Sequence, residues 1–155
     1  MPWARSMIRF MDRLFGIEPI YAHCDVPCGI YDPHAATIAA KTVHTMNQQV
    51  SALPVPANTA SAQEQLEYTN TTIRMIQTKE HHAQLCKQEL FILWSDYFKP
   101  EDASLFPDLH DTFWKAVKLC SYNKQHVDVK KSEELMGTVA KIAEMFQKAE
   151  AAKKQ

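Results

Sequence analysis

A chain of 155 residues, 46% hydrophobic and 23% charged, is long enough for one domain with a real core and too short for two. That balance excludes global disorder, and a formal charge of −1 without a basic run gives no footing for nucleic acid. No uninterrupted apolar stretch approaches a membrane span, so no membrane partner is expected either.

Residues 1–22 carry Met7, Phe10, Met11, Leu14 and Phe15 at helical spacing, with Arg5, Arg9 and Arg13 between them. No run there is apolar enough for a secretory signal. The arginines suit an organelle transit peptide, against which Asp12 and Glu18 count. The segment His23-Cys24-Asp25-Val26-Pro27-Cys28 follows and concentrates nitrogen and sulfur donors. Asp32-Pro33 then marks a helix start, with Asp as N-cap and Pro at the first helical position. Ala35, Ile38, Thr42, Met46, Val50 and Leu53 recur at three- and four-residue steps, an apolar stripe that Pro54 and Pro56 end. A second helix is predicted from about Ser61 to Phe98, through Ile73, Ile76, Ala83, Cys86, Leu90, Leu93 and Tyr97, with Pro100 stopping it. A third begins near Pro107, with Leu109, Phe113, Val117 and Cys120 on one face. The polar run Ser121 to Lys131 reads as a connection, and Ser132 with Glu133 and Glu134 as the capped start of a fourth helix. Its stripe is Leu135, Val139, Ile142, Phe146 and Ala149, and residues 151–155 read as a frayed tail. Four amphipathic helices without a convincing strand predict an all-α, up-and-down four-helix bundle over residues 34–150. A metal-binding hook, residues 23–33, precedes it.

The hook is complete only if the chain is cut before His23. A free His23 amine and the Cys24 amide nitrogen close one five-membered chelate ring. The Cys24 thiolate closes a second with its own amide nitrogen, and Cys28 adds another thiolate. Two nitrogens and two sulfurs in a plane suit a d8 or d9 ion, Ni(II) or Cu(II), and the His23 imidazole can reach the axial position. An uncut Ala22–His23 bond turns the amine into an amide and removes that ligand. Such strong donors stabilise Ni(III), which one-electron cycling requires. A Cys24–Cys28 disulfide is the metal-free alternative and an oxidised failure state. Cys86 and Cys120 are expected as buried thiols.

This hook resembles that of nickel-dependent superoxide dismutases. The family pattern H-C-D-x-P-C-G-x-Y-D-P is met at every fixed position from His23 to Pro33. Leu93-Trp94-Ser95-Asp96-Tyr97-Phe98-Lys99-Pro100 is similar to a second family signature, and Pro107-Asp108-Leu109-His110 to its continuation. The resemblance implies disproportionation of superoxide to dioxygen and hydrogen peroxide, with one nickel per subunit cycling between Ni(II) and Ni(III). It implies nickel ligation by the amine and imidazole of His23, the amide nitrogen and sulfur of Cys24, and the sulfur of Cys28. Tyr31 and Tyr97 would lie close to the metal and restrict access, while Asp25 and Pro27 shape the hook. It also implies a homohexamer of four-helix bundles, and a leader, residues 1–22, removed by a dedicated peptidase; Arg13-Leu14-Phe15 is similar to a leader motif of the family. A cytoplasmic location is expected.

Two positions depart from the family. Relatives hold the axial imidazole with a glutamate and an arginine, and ungapped counting puts Ala39 and His82 there. A looser axial ligand follows, with Glu80, His81 or His82 as candidate substitutes. Lys99, near Tyr97, is a candidate for steering the anion. Three rival readings of the hook stand beside this one. A metal carrier would bind without turnover. A thiol pair would cycle a disulfide, although C-x-x-x-C is one residue longer than the usual redox spacing and no βαβ pattern accompanies it. A zinc site would have to forgo its usual tetrahedral geometry.

Overall fold

The computed structural model describes residues 30–153. The leader, residues 1–22, and the hook residues His23, Cys24, Asp25, Pro27 and Cys28 lie outside the described residues, as do residues 154–155. Helices are α1 (His34–Ala52), α2 (Ala62–Ile92), the short α3 (Asp102–Leu105), α4 (Leu109–Gln125) and α5 (Val129–Lys153). A π-turn, Leu93–Tyr97, continues α2. No strand occurs among the described residues.

The Asp-Pro pair opens α1, one residue later than the sequence predicts: the helix runs from His34, with Pro33 rather than Asp32 at its N-cap. Asp32 Oδ1 accepts the His34 amide at 2.6 Å, and Pro33, at φ −74°, begins the turn whose first bond runs from Thr37 N to its carbonyl. Leu53 leaves the helix in extended geometry, as the residue before a proline favours. A capping box opens α2: Ser61 Oγ accepts the Glu64 amide, while Glu64 Oε2 accepts the Ser61 amide at 2.8 Å. At 31 residues, α2 is about 46 Å long by a rise of 1.5 Å per residue. The 17 residues of α4 give only about 26 Å. The excess falls in the first half of α2, where no side chain is buried before Lys79.

Helix α2 packs on α1 and α4, and α5 on α1 and α4, so the four long helices close a ring of sequence neighbours. This is the predicted up-and-down bundle. Phe113, Leu90, Leu135, Ile142 and Val139 fill its centre. The predicted stripes of α4 and α5 are buried at Leu109, Phe113, Val117, Cys120, Leu135, Val139, Ile142 and Ala149. Cys86 and Cys120 are buried free thiols, as expected; a hydrogen bond to Cys120 and burial push the Cys86 thiol up.

Four further expectations are corrected. The buried face of α1 is Ala36, Ala39, Ala40, Val43 and Asn47, not the stripe through Ala35 and Ile38, which are exposed. Small alanines let α1 approach its neighbours closely, and an apolar scan favours the bulkier Ile38. The second helix is not α-helical to Phe98, because its last turn widens into the π-turn. The run Ser121 to Lys131 is not a connection: α4 continues to Gln125, α5 begins at Val129, and the turn between is three residues long. Asp128, not Ser132, caps α5, its Oδ1 accepting the Lys131 amide at 3.0 Å. Ser132 is buried, bonded to the Val129 carbonyl and to His44 Nδ1.

Buried polar groups hold that turn. Lys79 donates to the carbonyls of Asn123 at 2.5 Å and His126 at 2.7 Å, with Lys124 at 3.3 Å. Asn47 Nδ2 donates to Asn123 Oδ1 at 3.0 Å, and Asn47 Oδ1 accepts the Asp128 amide. The polar residues of this stretch thus satisfy carbonyls and amides that the helix ends expose. At the other end of the bundle, Tyr31, Tyr97, Phe98, Phe106 and Phe146 form an aromatic layer.

Candidate functional site

The π-turn sets where Tyr97 lies. The Phe98 amide donates to the Leu93 carbonyl, five residues back, at 3.1 Å, so one residue more than an α-turn is accommodated. Ser95 and Asp96 bulge outward, and Leu93 and Tyr97 both face the core. Tyr97 meets Tyr31 with ring centroids 5.6 Å apart, tilted by 59°. Residues 66 positions apart in sequence, both implied as metal neighbours, therefore share one patch of the bundle end. Burial, then the hydrogen bond to Glu150, pushes the Tyr97 phenol up, so it remains neutral at physiological pH.

The two downstream signatures are joined by one bond. Trp94 Nε1 donates to His110 Nδ1 at 2.9 Å, which requires the neutral His110 tautomer with its proton on Nε2. Trp94 also stacks on Phe113 at 5.7 Å, anchoring the π-turn to α4. Lys99 is exposed; its Nζ donates to the Asp96 carbonyl at 3.0 Å and its amide to Asp102 Oδ2 at 2.8 Å.

Ala39 is fully buried in the core. His82 is half-buried, and its Nδ1 lies 2.9 Å from the Thr78 carbonyl, so Nδ1 carries the proton and Nε2 is left as an acceptor. Fifteen residues of helical rise, about 22 Å, separate it from Tyr97 along α2. His81 meets His82 edge-on at 5.3 Å and is exposed, as is Glu80. Among the described residues no three His, Cys, Asp or Glu side chains converge as a metal site.

Glu150 and Lys153 were not legible as site residues. Tyr97 Oη donates to Glu150 Oε1 at 2.7 Å, and Lys153 Nζ lies 3.8 Å from the Tyr97 ring centroid. They stand in a Lys/Ala/Gln-rich terminus that reads as solvated, yet α5 stays helical through Lys153. The available signal was register, since Glu150 follows Phe146 by four residues and so shares its face.

The family model for nickel-containing superoxide dismutase matches residues 18–150. The chain belongs to that family. It is 34% identical over 137 residues to a nickel superoxide dismutase of Streptomyces seoulensis, covering 88% of this chain and 95% of the relative. The corresponding enzyme of Streptomyces coelicolor is 31% identical over the same length. Among solved structures, the chain is similar to a nickel-containing superoxide dismutase whose nickel ligation corresponds to the oxidised state. The TM-score is 0.70 at 33% identity, covering 83% of this chain and 99% of that one. A native nickel superoxide dismutase gives 0.68 at 30% identity, with the same coverage. Membership makes the protein an oxidoreductase acting on superoxide, with nickel as its metal. The resemblance seen in the hook and the two downstream signatures is thus borne out at the level of the family.

Proposed function

We propose that the protein disproportionates superoxide at a nickel held by His23, Cys24 and Cys28, after the chain is cut before His23. The observation that carries this reading is the unbroken hook sequence in a chain of this family. The donor set fits the metal: an amine, an amide nitrogen and two thiolates suit square-planar Ni(II), and His23 supplies an imidazole on the same residue as the amine. Bound there, nickel supplies the one-electron couple between the 2+ and 3+ states that dismutation requires. In the reaction, two superoxide anions and two protons give one dioxygen and one hydrogen peroxide.

The chain's own part is to hold ligands, admit a small anion and exclude larger ones. Only two residues, Gly29 and Ile30, stand between Cys28 and Tyr31 in the chain. In this reading Tyr31, and Tyr97 which it meets, are the neighbours of the nickel that the family resemblance implies. Burial and the bond to Glu150 keep the Tyr97 proton on Oη at neutral pH, and the ring is placed to orient small molecules and exclude larger anions. Asp25 and Pro27 belong to the same reading as the residues that shape the hook. Lys99, exposed beside the aromatic layer, draws the anion in.

A homohexamer, one nickel per subunit, and a leader peptidase belong to the same reading. Ile38, Phe91 and Trp114 are large apolar side chains left exposed on single subunits, the kind of surface that assembly covers. Cytoplasmic residence suits a chain whose hook works through free thiolates, which reducing compartments preserve. Metal analysis of the cut chain and its Cys24→Ser and Cys28→Ser variants tests the ligand assignment. Stoichiometric nickel in the parent, and loss of nickel and turnover in both variants, is the expected result. Full nickel retention by either variant would remove that cysteine from the ligand set.

A further inference from the structure

Tyr97 is 5% exposed, and three side chains from the last turns of α5 address it. Its hydroxyl donates to Glu150 Oε1 at 2.7 Å, with the Phe146 carbonyl a longer acceptor at 3.5 Å. The Phe146 ring centroid lies 4.3 Å away, and Lys153 Nζ 3.8 Å from the Tyr97 centroid. The same ammonium is 3.8 Å from Glu150 Oε1. The carboxylate that accepts the phenol's bond is thus paired with the cation lying on the phenol ring. We propose that Glu150, steadied by Lys153, is the positioning residue that fixes the direction of the Tyr97 hydroxyl at the Tyr31–Tyr97 pair. This rests on the reading of those two tyrosines as neighbours of the nickel.

The consequence follows from what each group can donate. An ionised carboxylate only accepts, so the single phenol proton is committed to α5 and an oxygen lone pair faces the other way. A lone pair does not hold an anion, whereas a released hydroxyl can turn its proton toward one. Glu150 therefore keeps Tyr97 from gripping superoxide or the peroxide that leaves. Lys153 offsets the charge that Glu150 brings to an anion's approach. The pair sorts two tasks: Glu150 sets hydroxyl direction, and Lys153 sets the local field.

Three variants of the nickel-loaded enzyme test this: Glu150→Ala, Glu150→Gln and Lys153→Met. Glu150→Ala is expected to lower kcat and KM together, each about three- to tenfold, because anions are held and released more slowly. Glu150→Gln keeps an acceptor for the phenol and should stay within about twofold of the parent in both. Lys153→Met leaves Glu150 unpaired and should raise KM about threefold with kcat unchanged. An alkaline absorbance titration of the metal-free chain, with Tyr97→Phe as baseline, should show Tyr97 ionising at lower pH in Glu150→Ala than in the parent. Helical circular dichroism checks that each variant is folded; should Glu150→Ala misfold, Glu150→Gln and Lys153→Met carry the comparison. An unmoved Tyr97 titration overturns the proposal, as does a moved titration with kcat and KM unchanged throughout. Absence of turnover in the parent would instead refute the reading of the nickel site, while the titration would still decide whether Glu150 holds Tyr97.

Discussion

Lys79 lies 1% exposed, with its ammonium against the last turn of α4 and donating to the carbonyls of Asn123, Lys124 and His126. Burial pushes its pKa down, and the carbonyls supply the partial negative charge of a helix C-terminus in return. Lys79→Met keeps most of the stem and deletes the donor, leaving buried acceptors unpaired. We expect it to cost about 2–3 kcal/mol, read as a lower urea midpoint at unchanged m-value. Asn47 and Asn123 are fully buried and bonded to each other, so a double-mutant cycle to alanine should show positive coupling of about 1 kcal/mol. Additive losses would mean the amides act separately. None of these three residues was legible as core, because hydrophobic patterning counts polar side chains as surface. By contrast, the donor types of His23, Cys24 and Cys28 are legible from chemistry alone, since chelate-ring size needs only sequence adjacency.

At the scale of elements, the π-turn is a one-residue insertion that leaves Leu93 and Tyr97 both facing the core. Deleting exposed Ser95 should restore α geometry and turn Tyr97 by about 30° about the axis, since three α-steps from Leu93 replace four wider π-steps. Helicity should be retained while the Tyr97–Glu150 bond is lost, seen as Tyr97 ionising at lower pH. A Tyr97 titration like the parent's would show that the bulge does not set its direction. Between α4 and α5, Glu134 accepts from Lys115 at 2.8 Å and Lys131 at 2.8 Å, and these bonds pull its carboxyl down to about 2. A depressed carboxyl stabilises the fold above its ordinary value of 4.5, and that contribution is lost as pH falls from there through about 2. Glu134→Gln should therefore flatten the fall in Tm between about pH 5 and pH 2, and an unchanged slope would assign acid lability to other groups. Helix existence was legible here, from period and from Asp32-Pro33, Pro54 and Pro100. The α4–α5 turn was not, because its carbonyls are satisfied by Lys79 and the Asp128 amide by Asn47, both distant in sequence. Nor was the π-turn, since period alone does not distinguish an α-turn from one residue more.

On the scale of the whole molecule, the bundle brings the start of α1, the end of α2 and the end of α5 to one place, and the hook is joined directly to that end of the chain. The family's two downstream signatures make sense in this frame: Trp94 bonded to His110 locks the π-turn onto α4, and the π-turn presents Tyr97 to Tyr31. Ungapped counting puts Ala39, which is in the core, and His82, which is bonded to its own helix, where relatives carry a glutamate and an arginine, and we propose that the axial imidazole is held without that pair. Turnover should accordingly fall about 10–100-fold below relatives that keep both. Side-by-side kcat measurement checks this, and parity would mean that another group of this chain holds the ring.

In the proposed reading, a cut before His23 frees the amine that completes the nickel's ligand set. Superoxide consumption by nickel-treated protein beginning at His23, measured beside the uncut chain under the same nickel, tests it most directly. Rapid turnover by the cut form, with the uncut chain no faster than nickel in buffer, is the predicted result. Equal turnover by both forms would contradict the amine ligand, and a cut form that binds nickel without consuming superoxide would contradict the enzyme.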